Sequence, residues 1–201
     1  MRKGQVQPVS VILIIVISLG AIATVLPWAN TMIQKRKDSK SVDDVFNFFI
    51  SLDRSIREIA ESGGEETISL KVPGRFTIYP ETVTSPSNNS IIFVFESKIS
   101  NVAEGDWVPL NNPNVNLTAV LSVDTPSVVF ARAVDSSDNL DVYYRLWYRR
   151  LVDPVSNQGY WIVLNTTDNM VKETTTGFMR IQRIGSKQAQ GLTITEINII
   201  V

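Results

Sequence analysis

The sequence contains no cysteine and no histidine. Without cysteine there is no disulfide framework and no thiolate metal site. Without histidine the commonest general base and the commonest neutral metal ligand are both missing. No glycine-rich phosphate loop, nucleophile elbow or carboxylate pair beside a base takes their place. No catalytic residue, metal site or cofactor is therefore nominated, and an enzyme is not expected. Charge is missing over one long stretch as well: between Lys3 and Lys35 there is no charged side chain. Of the 19 basic residues, five (Arg2, Lys3, Lys35, Arg36 and Lys37) fall in the first 37 positions, which hold no acidic ones. The rest of the chain then carries 14 basic against 20 acidic residues, a net of −6. That balance speaks against a nucleic-acid-binding domain and fits an acidic, exported one.

What fills the uncharged stretch is apolar. From Val9 to Leu26 the only interruptions are Ser10, Ser18, Gly20 and Thr24. Eighteen residues at about 1.5 Å each span roughly 27 Å, close to the bilayer's hydrocarbon thickness of about 30 Å. Trp28 stands where an aromatic interface anchor belongs, which places a membrane-spanning segment at about 9–28. A discarded secretion signal would have an apolar region of only about 7–15 residues and a small-residue cleavage site. Here the run ends in LPWANTMIQKRK.

A second helical pattern follows over about 39–62. Val42, Val45, Phe49, Leu52, Ile56 and Ile59 recur at alternating steps of three and four, a single heptad face. Asp43, Asp44, Asp53, Arg54, Arg57 and Glu58 take other faces, and Gly63-Gly64 supplies a stop. The face is expected to pack on the chain's own downstream domain. Membrane segment and amphipathic segment can form one rod over 5–64, with a kink or local break expected at Pro27.

From Glu65 the pattern changes to short alternating or β-branched runs between turn residues. Nine candidate strands lie in ETISLKV, RFTIYPE, SIIFVFES, NLTAVLSV, SVVFARAV, DVYYRLWYRRLV, YWIVLNT, GFMRIQRI and LTITEINII. The expected fold is α+β, a lollipop in which a long N-terminal helix, transmembrane and then amphipathic, precedes an antiparallel β-sandwich-like domain over 65–201.

The first residues carry a more specific pattern. Arg2-Lys3-Gly4 directly precedes Gln5 and the apolar run, with Leu13 eight positions after Gln5. This leader and helix resemble those of archaeal type IV pilin-like proteins with a class III signal peptide. The resemblance covers about a third of the chain. It implies removal of residues 1–4 by a prepilin-type signal peptidase cutting between Gly4 and Gln5. It also implies assembly with other pilin-like subunits through the apolar helix, where Leu13, Gly20, Ala21 and Ala23 allow close packing. Two positions depart from the family pattern, Gln7 where serine is usual and Val9 where glutamate is usual. That glutamate helps subunits assemble, so its loss implies a minor rather than a major filament component.

Pro8 bears on the same point by local physics. The residue before a proline is pushed away from helix, which leaves the bonds around Gly4 open to a peptidase. After a cut at Gly4, Pro8 is the fourth residue, where its missing N–H costs no intrahelical bond. The same proline equally suits the start of an uncleaved anchor helix.

The remaining signals concern the domain. Lys35, Arg36 and Lys37 just beyond the membrane segment nearly balance Arg2, Lys3 and the initial amine under the positive-inside rule. The leader favours a single-pass protein with its β-domain outside the cell. Asn88, Asn116 and Asn165 each open a glycosylation sequon. In DVYYRLWYRR, alternation puts Val142, Tyr144, Leu146 and Tyr148 on one face and Tyr143, Arg145, Trp147 and Arg149 on the other. The second face is either a solvated cation–π ladder or a binding patch of Arg145, Trp147 and Arg149, with Arg180 and Arg183 nearby, for an envelope glycan, a surface layer or single-stranded nucleic acid. Asp135 to Asp141 lacks the glycine and distal glutamate of a calcium loop and reads as a polar hairpin. Two functions are carried forward, a filament subunit and a membrane-anchored binding protein for an envelope layer or motility-machine component.

Overall fold

The structure, a computed structural model, describes residues 6–69, 71–98, 100–137, 139–175 and 177–201, with side chains in the first helix from Ser10 onward. That helix, α1, runs from Val6 to Ser62 with Pro27 inside it. At 1.5 Å per residue it is about 85 Å long. Of the kink or local break expected at Pro27, the break is absent, since the helix continues through it; a proline removes only one backbone donor while the turns on either side keep theirs. The helix stops at Gly63 and Gly64, which take φ of 83° and 96°. Gly63 donates its N–H to the Ile59 carbonyl at 2.9 Å, a left-handed cap that a side chain would strain.

Twelve strands follow among the described residues: β1 (Glu65–Ser69), β2 (Arg75–Tyr79), β3 (Ser90–Ser97), β4 (Val108–Pro109), β5 (Thr118–Val120), β6 (Ser127–Ser136), β7 (Asn139–Tyr148), β8 (Arg150–Val152), β9 (Gly159–Asn165), β10 (Lys172–Thr174), β11 (Phe178–Ala189) and β12 (Leu192–Ile200). They form two six-stranded sheets, ordered β1-β11-β12-β9-β8-β5 and β10-β2-β3-β7-β6-β4. The first is not purely antiparallel as expected, since β12 runs parallel to β9 and β5 parallel to β8. After β9 the chain crosses to the second sheet for β10 and returns through the β11–β12 hairpin. The second arm of that hairpin therefore runs alongside β9 in the same direction. The single run expected over 141–152 is divided between the sheets, β7 in one and β8 in the other, with Arg149 at the crossing.

The heptad face of α1 lies in the core. Val45, Phe49, Leu52 and Ile56 are fully buried, and Val42 and Ile59 nearly so. They share one apolar cluster with Phe76, Phe93, Tyr144 and Leu146 of the second sheet and Ile162, Met179, Ile181 and Ile197 of the first. The helix thus packs against both sheets. Burying each large apolar side chain contributes roughly 1.5–3 kcal/mol. Four such residues on one helix rival the net stability of an ordinary domain, about 5–15 kcal/mol. The second half of α1 is accordingly part of the domain's core and not an appendage.

Polar contacts fix the depth and rotation of the rod. Asp38 accepts the backbone N–H of Lys98 at 3.1 Å and the Gln34 amide at 2.7 Å. Tyr144 donates its hydroxyl to the Val42 carbonyl at 3.2 Å, and Tyr148 donates to the buried Asp53 at 3.0 Å. Asp53 also accepts from Arg57, one turn on, at 3.0 Å. Near the helix end, Arg183 donates to the Glu61 carbonyl at 3.1 Å.

Candidate functional site

Two surfaces stand out from the fold. The first is the free half of α1. From Val11 to Ile33 its large apolar residues are all exposed, Leu13 by 59% and Trp28 by 64%. Nothing lies near the open side of Gly20, and Ala21 and Ala23 are exposed on the same segment. By length and composition the helix is able to cross a membrane, and no part of its most apolar window is covered by the domain. Gly4 and Gln5 lie outside the described residues, as does the Val9 side chain. At the junction, Lys35, Arg36 and Lys37 are exposed and form no ion pair among the described residues, whereas Asp38 is buried against the domain. The rod therefore changes character within one turn, from an uncovered apolar surface to a docked one.

The second surface lies where the chain crosses between sheets. Here the expected patch needs a correction. Arg149 is not on the solvated face: its side chain is fully buried. Strict alternation placed it beside Arg145 and Trp147, but alternation ends with β7 at Tyr148. Its guanidinium turns into the loop before β6 and donates to the carbonyls of Asn114 (2.6 Å), Asn116 (3.3 Å) and Thr125 (3.2 and 3.3 Å). The Asp124 carboxylate lies 3.8 Å away. Burial lowers the Arg149 pKa and the Asp124 charge opposes that shift. A planar donor fork satisfying several carbonyls at once is a task lysine cannot perform. Arg149 is thus a clamp on the stretches either side of β5, holding 114–116 to Thr125.

Arg145 and Trp147 do face outward on β7. The Arg145 guanidinium lies 5.9 Å from the Trp147 ring centre and donates to the Pro86 carbonyl at 2.9 Å. Its Nε is buried with no partner. Burial pushes the Arg145 pKa down to about 10, partly offset by the Tyr79 charge. Across the crossing, Arg150 of β8 stacks at 4.3 Å over Trp161 of β9. Two clefts open between these pairs, one of roughly 320 Å³ beside Arg145 and one of roughly 160 Å³ beside Arg150 and Trp161. They share Asn88, Leu117 and Trp147 as walls, and Glu81 lines the smaller. Sequence reasoning missed Arg150, Trp161 and Leu117 because no Gly or Pro marks the crossing that brings them to Trp147. Farther along the same sheet face, Arg132 is held between Trp107 and Tyr143 at 4.6 and 4.8 Å.

Arg180 and Arg183 belong to β11 in the other sheet. Arg180 pairs with Glu65 at 3.5 Å and Arg183 is engaged with Glu61 and Ser186. The structure does not bring them to the groove. The sequons differ in access. Asn116 and Thr118 are both exposed, whereas the Asn88 sequon ends in the fully buried Ser90 and the Asn165 sequon runs through the buried Thr166. The Asp135–Asp141 segment is the β6–β7 hairpin, with Ser136 paired to Asn139 and Ser137 at φ 56°. Asp138 lies outside the described residues. Comparison with protein-family models, curated proteins and solved structures finds no match to this chain.

Proposed function

We propose that this chain is a single-pass membrane protein of the type IV pilin-like kind, a minor structural subunit of an archaeal-type surface filament with its β-domain outside the cell. The observation that carries the reading is the division of one continuous helix. Its second half is locked into the domain core, while its first half projects as a bare apolar rod. Exposed apolar surface of that extent needs either lipid or other helices against it. In the membrane lipid covers it, and in a filament equivalent helices do, so the same surface serves both states. The Arg2-Lys3-Gly4/Gln5 leader supplies the processing step, in which a prepilin-type signal peptidase frees Gln5. Exposed Gly20, Ala21 and Ala23 let neighbouring helices approach closely.

A second reading has its own support. Val9 removes the carboxylate that family subunits use in assembly, and the domain carries an aromatic-basic groove. A permanently anchored protein whose β-domain engages an envelope layer or a motility-machine component fits both features. Mass spectrometry of the mature N-terminus, in membrane and sheared surface fractions, separates the two. Chains starting at Gln5 and recovered in sheared filaments are expected. Chains starting at Met1 and found only in membranes would refute the filament reading in favour of the anchor.

A further inference from the structure

The groove at the sheet crossing has a composition that calls for a particular ligand. Its walls are the indoles of Trp147 and Trp161, and a guanidinium stands against each. Neither Arg145 nor Arg150 has an ion-pair partner among the described residues, although six ion pairs occur elsewhere on the domain. Arg145 is moreover partly desolvated, with its Nε buried and unpaired. A cation in that position gains from an anion placed beside it, because the cost of desolvation has already been met by the fold. Stacking on the rings and the bond to Pro86 pre-orient the donor forks, so little side-chain entropy is lost on binding.

We infer that this groove, walled by Trp147 and Trp161 and headed by Arg145 and Arg150, binds an acidic oligosaccharide. A sugar ring offers an apolar C–H face and a rim of hydroxyls. The indoles, which line the cleft beside their stacked guanidiniums, offer apolar surface to the first, and the planar donors and acceptors of Arg150, Asn88 and Glu81 suit the second. A ring carboxylate completes the match by pairing with the uncompensated guanidiniums. The two clefts together fall in the size range of small-ligand sites. They share Asn88, Leu117 and Trp147 as walls, so one short chain can contact both. A polynucleotide fits the charge pattern poorly. The chain beyond residue 37 has a net charge of −6 and Glu81 lines the groove, so an anion is held only where its charges fall on the two guanidiniums, as carboxylates carried on the sugar rings do and backbone phosphates, set outside the bases, do not. The inference holds whether the chain enters a filament or remains an anchor.

The test uses the full chain in lipid nanodiscs and isothermal titration calorimetry. The probes are tetragalacturonate, its neutral tetragalactose counterpart, and a short single-stranded deoxythymidine oligomer. Tetragalacturonate is expected to bind at least about tenfold more tightly than either of the others. Trp161→Ala, Arg150→Gln and Arg145→Gln should each weaken it about tenfold or more, while leaving the thermal midpoint of the domain in place. Absence of binding by tetragalacturonate overturns the inference. So does stronger binding of the deoxythymidine oligomer, or affinity that survives both Trp161→Ala and Arg150→Gln.

Discussion

Replacing Arg149 with methionine tests how the crossing is held together. Methionine keeps most of the stem volume and removes the guanidinium. The carbonyls of Asn114, Asn116 and Thr125 then lose their donor, and Asp124 loses the cation at 3.8 Å. Leaving these partly buried carbonyls without their charged donor costs about 1–3 kcal/mol. For a domain of this size, where 1 kcal/mol moves the midpoint by about 3–4 °C, the thermal midpoint should fall by roughly 4–12 °C. Circular dichroism of the full chain in detergent reads the midpoint, and hydrogen exchange reads the location. Faster exchange should be concentrated in residues 111–126, the segment around β5 that the fork clamps and that includes Leu117 at the groove. Arg149→Lys restores the charge without the fork and should recover less than half of the loss. A drop of under about 1 kcal/mol, or exchange spread evenly over the domain, would show that Arg149 does not hold this segment.

Three further outcomes follow from the packing. Phe49→Ala empties a fully buried position between the sheets and should cost about 3–5 kcal/mol of domain stability while leaving membrane insertion of the first half of α1 intact, as read by thermal melts beside a membrane-flotation assay. Burial, reinforced by the Asp43 charge, pushes Tyr144 up to about 12, and burial followed by Asp53 holds Tyr148 well above its ordinary 10.0. Both groups stay protonated in the fold when the unfolded chain has ionised. Their contribution is therefore complete below pH 10 and is lost between about 10 and 12, where circular dichroism and tyrosinate absorbance should change together; tyrosines that all ionise near 10 with the fold intact would contradict it. A Cβ added at Gly159 would run into the Leu151 carbonyl and the Leu192 side chain, and backbone on that side cannot yield, so Gly159→Ala should lower stability by about 1–3 kcal/mol in thermal melts.

The long helix was legible because periodicity is a local signal. Val42, Val45, Phe49, Leu52, Ile56 and Ile59 announce a buried face before any partner is known, and Gly63-Gly64 announces its end. The inward face of β7 was legible for the same reason, since Val142, Tyr144, Leu146 and Tyr148 alternate without interruption. What lay beyond reach was relation between distant segments. No residue near Arg149 signals that the chain changes sheets there, and the parallel pairing of β12 with β9 depends on a crossing made some thirty residues earlier in the chain. The short strands β4 and β10 owe their existence to the neighbours they pair with, β6 and β2, rather than to propensity. The groove needed Arg150 and Trp161 beside Trp147, and that juxtaposition exists only after the crossing is made. Arg149 shows the opposite failure, in which a correct local rule was carried one residue past the end of its strand.

The place of β12 bears on how the protein is made. This strand follows all the others in the chain, yet it lies inside its sheet, between β11 and β9. Until Leu192–Ile200 has emerged, β9 has an open edge on that side and the first sheet cannot be completed. The helix that fills the core is synthesised first and waits longest for its partners. The second sheet needs nothing beyond β10, so it can pair before the last hairpin exists, whereas the first sheet is the last part of the domain to close. The apolar face of α1 therefore waits for the final strand before it is covered on both sides.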